Sequence, residues 1–331
     1  MLYVQLFLCT VVLGYILRPC ALRWGLVDKP DHRKFHEGSI PLVGGLMIFI
    51  SYTGILVFHG YIPPYLITVV TAMLLLGLID DNSGLTARCR MSIQSLIVLV
   101  TIVIGNNHLT QLGNLIGFGV LELGHFAIPF TLLSFVGLIN AINMLDGLDG
   151  LVGGVALGAL VWFELSNPLA GLYYSVEGLA LICALAGFML FNASYPGHRK
   201  ATIYLGEAGS TTLGLMLGLI ALKHCAGNTA TLTPVSVFWV LALPVVDTLR
   251  VMIVRQIRGA NPFKADRTHL HHLLIDRGIG AVAPVFWTGF SRFISGFLRF
   301  RLPAGWAANQ STRYPGFSRQ ARSGAGVHCR T

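Results

Sequence analysis

The sequence predicts an all-α membrane protein, a polytopic bundle of about nine or ten transmembrane helices with its N-terminus outside. Three observations carry this. Only 11% of the 331 residues are charged and 54% are hydrophobic, whereas a soluble chain carries about 25% charged residues. The apolar residues fall in long blocks, not in the one-sided stripe of a soluble helix. The cations gather in alternate loops.

The blocks run over residues 2–17, 42–58, 65–79, 93–104, 126–145, 151–165, 179–190, 213–222 and 235–246. Several approach the roughly 20 residues needed to cross the hydrocarbon, and the shorter ones extend into uncharged flanks. The first block follows no basic segment and precedes no small-residue cleavage site, so it reads as an anchor rather than a cleaved signal. Alternating the loops from an outside N-terminus places Arg18, Arg23, Lys29, Arg33, Lys34, Arg88, Arg90, Arg199, Lys200 and the basic residues from Arg250 to Arg277 on one side. The opposite loops hold Lys223 alone. This is the positive-inside pattern, and it makes the charged loops cytoplasmic. It also accounts for the net charge of +9 without nucleic acid as a partner. The six cysteines show no CxxC spacing and read as thiols in or beside the spans, neither metal ligands nor disulfides.

Residues 1–283 read as one membrane domain. Residues 284–331 form an atypical basic tail with no carboxylate, its one apolar run broken by Arg292, Arg299 and Arg301. Arginine at a bilayer centre costs about 2.5–3.5 kcal/mol. The tail is either an amphipathic surface segment or a natural end lost by truncation or frameshift. The missing helical periodicity favours the second.

Four polar clusters lie on the cytoplasmic side. Asp80 and Asp81, in GLIDDNSG, end the third span, where adjacent carboxylates are costly unless something positive sits beside them. They can hold Mg²⁺, or one can accept a proton while its neighbour positions a phosphate; a solvated stop signal is the plainer reading. Asn143, Asp146 and Asp149, in NAINMLDGLDGL, recur at i, i+3 and i+6. On a helix that spacing brings successive members together, able to grip a base, a ribose or a cation; a glycine-rich turn capped by aspartates is the plainer reading. FNASYPGHRKATIYLGEAGS carries Asn192, Glu207 and Ser210; the glutamate is either an acid aimed at a shared metal or a charge favoured by the helix dipole. NPFKADRTHLHHLL holds Arg267, His269, His271 and His272. Its histidines lack zinc-ligand spacing, and beside Arg267 they suit a pyrophosphate. Lys29, Arg33, Lys34 and His36 add an anion-steering wall. Acids imply a divalent cation, cations imply phosphates, and a membrane edge implies a lipid. Phosphoryl transfer to a lipid head group uses all of them.

These motifs, taken in order, resemble the polyprenyl-phosphate N-acetylhexosamine-1-phosphate transferases, glycosyltransferases that begin O-antigen, enterobacterial common antigen and teichoic-acid linkage synthesis. The chain is more distantly similar to the peptidoglycan phospho-muramoyl-pentapeptide transferase. The resemblance spans residues 25–278, through GLVDKP, IPLVGG, LIDD, NAINMLDGLDGL, YLGEAGS and HLHH. It implies a bundle of ten or eleven spans, dependence on Mg²⁺ (or Mn²⁺), and exchange of a UDP-N-acetylhexosamine with undecaprenyl phosphate to release UMP. It implies a bacterial inner-membrane location and admits a homodimer. Carried over by motif, Asp80, Asp81, Asp146 and Asp149 are catalytic. Asn143, Asn192, Lys29, Arg267, His269, His271 and His272 bind substrate, and Glu207 with Asp80 and Asp81 binds metal. Glu207 stands where the family usually has aspartate. Its extra methylene predicts weaker metal affinity, because Mg²⁺ demands near-ideal octahedral geometry. Alternatives are an inactive truncated relative or a transporter with a carboxylate relay. A CDP-alcohol phosphotransferase fails because Gly153-Gly154 replaces its Ala-Arg, and a trans-prenyltransferase because DDNSG lacks the last acid of DDxxD.

Overall fold

The computed structural model describes residues 1–28, 39–114, 119–194, 200–227 and 230–259. Lys29, Arg267, His269, His271, His272 and the tail from 284 onward, all singled out above, lie outside the described residues. Within them each apolar block becomes a helix, the last block dividing between two: α1 (Leu2–Trp24), α2 (Gly44–Phe58), α3 (Pro64–Ser83), α4 (Ala87–Gly105), α5 (Ala127–Leu145), α6 (Leu151–Leu169), α7 (Val176–Asn192), α8 (Gly206–Cys225), α9 (Pro234–Val240) and α10 (Ala242–Ile257). The strands are confined to two short antiparallel pairs. In the first, β1 (Val27–Asp28) joins β2 (Ile40–Pro41); in the second, β3 (Gln111–Gly113) joins β4 (Leu121–Glu122).

Helices α1, α3, α4, α5 with its preceding turn, and α6 are each long and apolar enough to cross a membrane. The outer helices leave large apolar side chains exposed, among them Val4, Leu8, Val12 and Ile16 on α1 and Leu96, Val103 and Ile104 on α4. A water-facing surface would not tolerate such stripes, whereas lipid favours them. The protein is a multi-pass membrane protein. Helices α2 and α7 are shorter, and the last block is not one straight rod: α9 and α10 meet at a 79° bend and make a sixth candidate span only when counted together. The described cysteines carry no disulfide, and Cys89 is exposed rather than buried.

Helix α8 is the axis. It is buried from Ala208 to Gly218 without interruption and packs against α2, α3, α5 and α6. Small residues permit that crowding. A Cβ added to Gly77 of α3 would stand 2.2 Å from the Ala208 Cα, and one added to Gly45 of α2 would stand 2.5 Å from the Gly209 Cα. Between apolar helices in lipid there is little hydrophobic drive to associate, so such backbone approach supplies the packing. Both contacts fall within the first turns of α8, where they hold α2 and α3 against the segment that carries Glu207.

At the other end of α8 lies a second polar cluster. Buried Glu164 of α6 accepts from the Ser175 N–H (2.7 Å), the Ser175 hydroxyl (2.5 Å) and the Asn167 amide (3.2 Å). His224 Nε2 sits 3.8 Å from it, while His224 Nδ1 faces the Ser166 and Thr231 hydroxyls.

Candidate active site

Helices α3, α4, α5 and α8 bring their polar residues together at one end of the bundle. Helix α3 stops at Gly84, whose φ of 65° is a left-handed cap, and this places Asp80 and Asp81 in its last turn. Asp80 is 6% exposed. The Leu85 N–H donates to its Oδ1 (2.7 Å) and Arg90 Nη1 to its Oδ2 (2.8 Å). Asp80 therefore fixes the turn into α4.

Asp81 does different work. Its Oδ1 accepts from the Glu207 N–H (2.9 Å) and its Oδ2 from the Ala208 N–H (3.1 Å). It caps α8 from outside, a carboxylate against the positive end of a helix dipole. Gly206, at φ 74°, makes the turn; a Cβ there would stand 2.8 Å from Asp81 Oδ2.

Glu207 occupies the first turn of α8. Its Oε2 accepts from Arg90 Nη1 (2.9 Å) and from the Asn143 amide (2.5 Å), and Asn143 also donates to Ser210 Oγ (2.9 Å). Asn143, Glu207 and the acidic pair, far apart in sequence, thus share one site. Arg90 was not singled out as a site residue. Its sequence signal is an arginine ten positions after Asp80, in the first turn of α4, which also holds Arg88.

The Asn143, Asp146, Asp149 series is not one helical ladder. Helix α5 ends at Leu145, and Asp146 is its cap residue with φ −76° and ψ 61°. The next turn, closed by Gly150 at φ 74°, redirects Asp149, whose Oδ2 accepts from the Ala201 N–H (2.8 Å). Glycines at 147 and 150 and the acids' preference for non-helical turns override the spacing. Asn192 is likewise engaged by the backbone. Its Oδ1 accepts from the Gly150 N–H (2.9 Å) and its amide donates to the Ile203 carbonyl (3.0 Å). It is a buried strut between two site loops.

Asp146 is left as the carboxylate whose oxygens accept no hydrogen bond among the described residues. Withdrawal from solvent, and then the negative charges of Glu207, Asp81, Asp149 and Asp28, push its carboxyl up to about 7. Tyr204, which no motif in the sequence marks, has its phenol pushed up by burial and by Asp149, Asp28 and Asp146, so it remains a hydroxyl facing these acids.

That donor set suits a hard divalent cation: oxygen ligands, an excess of negative charge, and a carboxylate, Asp146, that accepts no hydrogen bond from the described residues. Among the described residues no three Asp, Glu, His or Cys side chains are grouped to hold a metal by themselves. A closed cage suits structural metals, whereas Mg²⁺ is usually held by one or two carboxylates, waters and substrate phosphates. Asp146 and Glu207 meet that description. Asp80 and Asp81, expected to be metal ligands, have both oxygens engaged, by Arg90 and by backbone N–H groups, and Glu207 shares Arg90 with Asp80.

Residues 63–224 match glycosyl transferase family 4. The chain is 35% identical over 287 residues to the undecaprenyl-phosphate alpha-N-acetylglucosaminyl 1-phosphate transferase of Salmonella typhi, covering 83% of this chain and 76% of that one. The proteins of the same name in Escherichia coli strain K12 (83% and 76% covered) and Haemophilus influenzae (80% and 76% covered) are each 33% identical. The matched segment contains Asp80, Asp81, Arg90, Asn143, Asp146, Asp149, Asn192 and Glu207, and with relatives this similar over most of its length the chain belongs to glycosyl transferase family 4.

Proposed function

We propose that this protein transfers an N-acetylhexosamine 1-phosphate from a UDP-sugar to undecaprenyl phosphate, releasing UMP, on the cytoplasmic face of a bacterial inner membrane. The names of the relatives favour N-acetylglucosamine as the sugar. The product would begin a cell-surface polysaccharide such as O-antigen. The observation that carries this reading is the convergence of Glu207, Asn143, Asp146 and Arg90 from α8, α5 and α4 at one end of an apolar bundle. A lipid phosphate and a soluble nucleotide can meet there.

The reaction exchanges one phosphoanhydride for another. An oxygen of the lipid phosphate attacks the β-phosphorus of the UDP-sugar, the bond from that phosphorus to the bridging oxygen breaks, and UMP leaves. Asp146, whose carboxyl is otherwise held up to about 7, would ionise on taking a divalent cation, and the lipid phosphate attacks as the dianion that a phosphate monoester forms near neutral pH. This assigns the metal to Asp146 and Glu207 and leaves Asp80 and Asp81, whose oxygens hold Arg90, Leu85 and the start of α8, to build the site. Those two aspartates and Asn143 keep Glu207 in place; Arg90 and Tyr204 offer donors to phosphate oxygens. Mg²⁺ held by Asp146 and Glu207 would neutralise charge on the diphosphate. Lys29, Arg267 and the histidines from 269 to 272 are proposed to add cationic contacts to it.

Membranes containing the chain, supplied with labelled UDP-N-acetylglucosamine, undecaprenyl phosphate and Mg²⁺, should form lipid-linked label and release UMP in equal amounts. Asp146→Asn should lower the rate about 10²–10⁴-fold, the loss of several kcal/mol of charge stabilisation by the metal. Normal turnover by that variant would refute its role. No lipid-linked label from any UDP-N-acetylhexosamine would refute the activity.

A further inference from the structure

Arg90 uses its side chain unusually. A guanidinium in a permanent structural pair offers its planar fork, two nitrogens to two oxygens. Here a single nitrogen, Nη1, meets both Asp80 Oδ2 (2.8 Å) and Glu207 Oε2 (2.9 Å). Arg90 Nε is buried and has no partner among the described residues. The side chain is 20% exposed, so it is neither locked in the core nor free in solvent. Asp80 is anchored independently by the Leu85 N–H and does not need Arg90 to stay in place. Glu207, in contrast, is held at Oε2 by Arg90 and Asn143.

We propose that Arg90 is an exchangeable counter-ion: its guanidinium neutralises Glu207 and Asp80 while the site is empty, and gives Glu207 up when a divalent cation and a diphosphate arrive. This rests on the reading of Asp146 and Glu207 as the metal-holding pair. One positive group cannot stay in contact with Glu207 Oε2 while that carboxylate serves a metal, because the two cations repel each other. The released guanidinium still has Nε and its second terminal nitrogen to offer, the bidentate geometry that recognises phosphate oxygens. Arg90 thereby tunes metal affinity downward and couples metal loading to donor binding.

The test uses the full chain in lipid nanodiscs, stripped with EDTA, with Mn²⁺ as the probe and free Mn²⁺ read by electron paramagnetic resonance. Arg90→Gln should bind Mn²⁺ about tenfold more tightly than the wild type, a modest share of the effect of a unit charge in contact with a ligand carboxylate. Arg90→Lys, which keeps the charge, should stay within about threefold of the wild type on the same grounds. In the unaltered protein, labelling of Arg90 by phenylglyoxal should rise severalfold when Mn²⁺ is added; this arm does not depend on a variant folding. Wild-type binding with unchanged affinity in Arg90→Gln and unchanged labelling would overturn the exchange and leave the metal site standing. A lowered melting temperature without tighter Mn²⁺ binding would make Arg90 purely structural. No Mn²⁺ bound by any form at millimolar concentration would overturn both the exchange and the metal pair.

Discussion

Gly77→Ala touches no polar group, yet it should disable the site. Gly77 lies on α3 one turn before Asp80 and Asp81, against the first turn of α8. An added Cβ would stand 2.2 Å from the Ala208 Cα and 2.5 Å from the Ala208 nitrogen, and the atoms struck are backbone, so no side chain can swing aside. Carbon atoms in contact sit about 3.5–4.0 Å apart, so α3 must retreat from α8 by roughly 1.3–1.8 Å on that spacing. The two N–H bonds from α8 to Asp81, at 2.9 and 3.1 Å, cannot survive such a shift, since hydrogen bonds are lost beyond about 3.5 Å. Overpacking of this kind costs about 1–3 kcal/mol, and a 1 Å displacement of catalytic groups costs about 10²-fold in rate. The assay is UMP release per folded protein, with folding scored by thermal melting in detergent. A variant that folds and turns over at the wild-type rate would show that the Asp81-to-α8 register is irrelevant to chemistry.

Two further predictions concern Asp146 and the far end of α8. Asp146 has a folded-state carboxyl near 7 against an ordinary value of 3.8, so the folded protein retains a proton that the unfolded chain releases. Its stabilising effect is complete below about pH 4 and is lost as pH rises to about 7. Melted in EDTA, Asp146→Asn should therefore gain stability relative to the wild type between pH 5 and pH 8; a constant difference across that range would contradict the shift. A Cβ on Gly178 would stand 1.8 Å from Glu164 Oε1, so Gly178→Ala must eject a buried carboxylate from its donors. It should cost about 3–5 kcal/mol, as breaking a buried charged network does, while the KM for UDP-sugar stays unchanged because the active site is at the other end of α8. Wild-type melting would show that the Glu164 cluster is not built as described.

The bundle was legible because the blocks of apolar residues are long and their loops are polar, and lipid leaves few other solutions. The acids at 80, 81, 146 and 207 were legible for the same reason: a charge at the end of an apolar run calls for a partner. What the partner is could not be read. Asp81 faces two backbone N–H groups 126 and 127 residues away, a pairing that depends on tertiary packing such as the close fit of Gly77 against Ala208. Asn192 entered as a substrate-binding residue through the family resemblance alone; that its side chain also ties the Gly150 N–H to the Ile203 carbonyl is announced by no spacing in the sequence. The i, i+3, i+6 spacing allowed a helical ladder or a glycine-rich turn capped by aspartates, and the structure takes the turn, because the glycines at 147 and 150 favour it. The bend between α9 and α10 falls inside a continuous apolar block, where hydropathy carries no sign of a break.

The most direct measurement places Mn²⁺ and UDP-N-acetylglucosamine on the purified chain and reads phosphorus coupling to the metal by electron–nuclear double resonance. The wild type should show coupling to a diphosphate phosphorus, and the coupling should vanish in the folded double variant Asp146→Asn with Glu207→Gln. Coupling that persists unchanged in that double variant would place the metal and its diphosphate elsewhere and contradict the account.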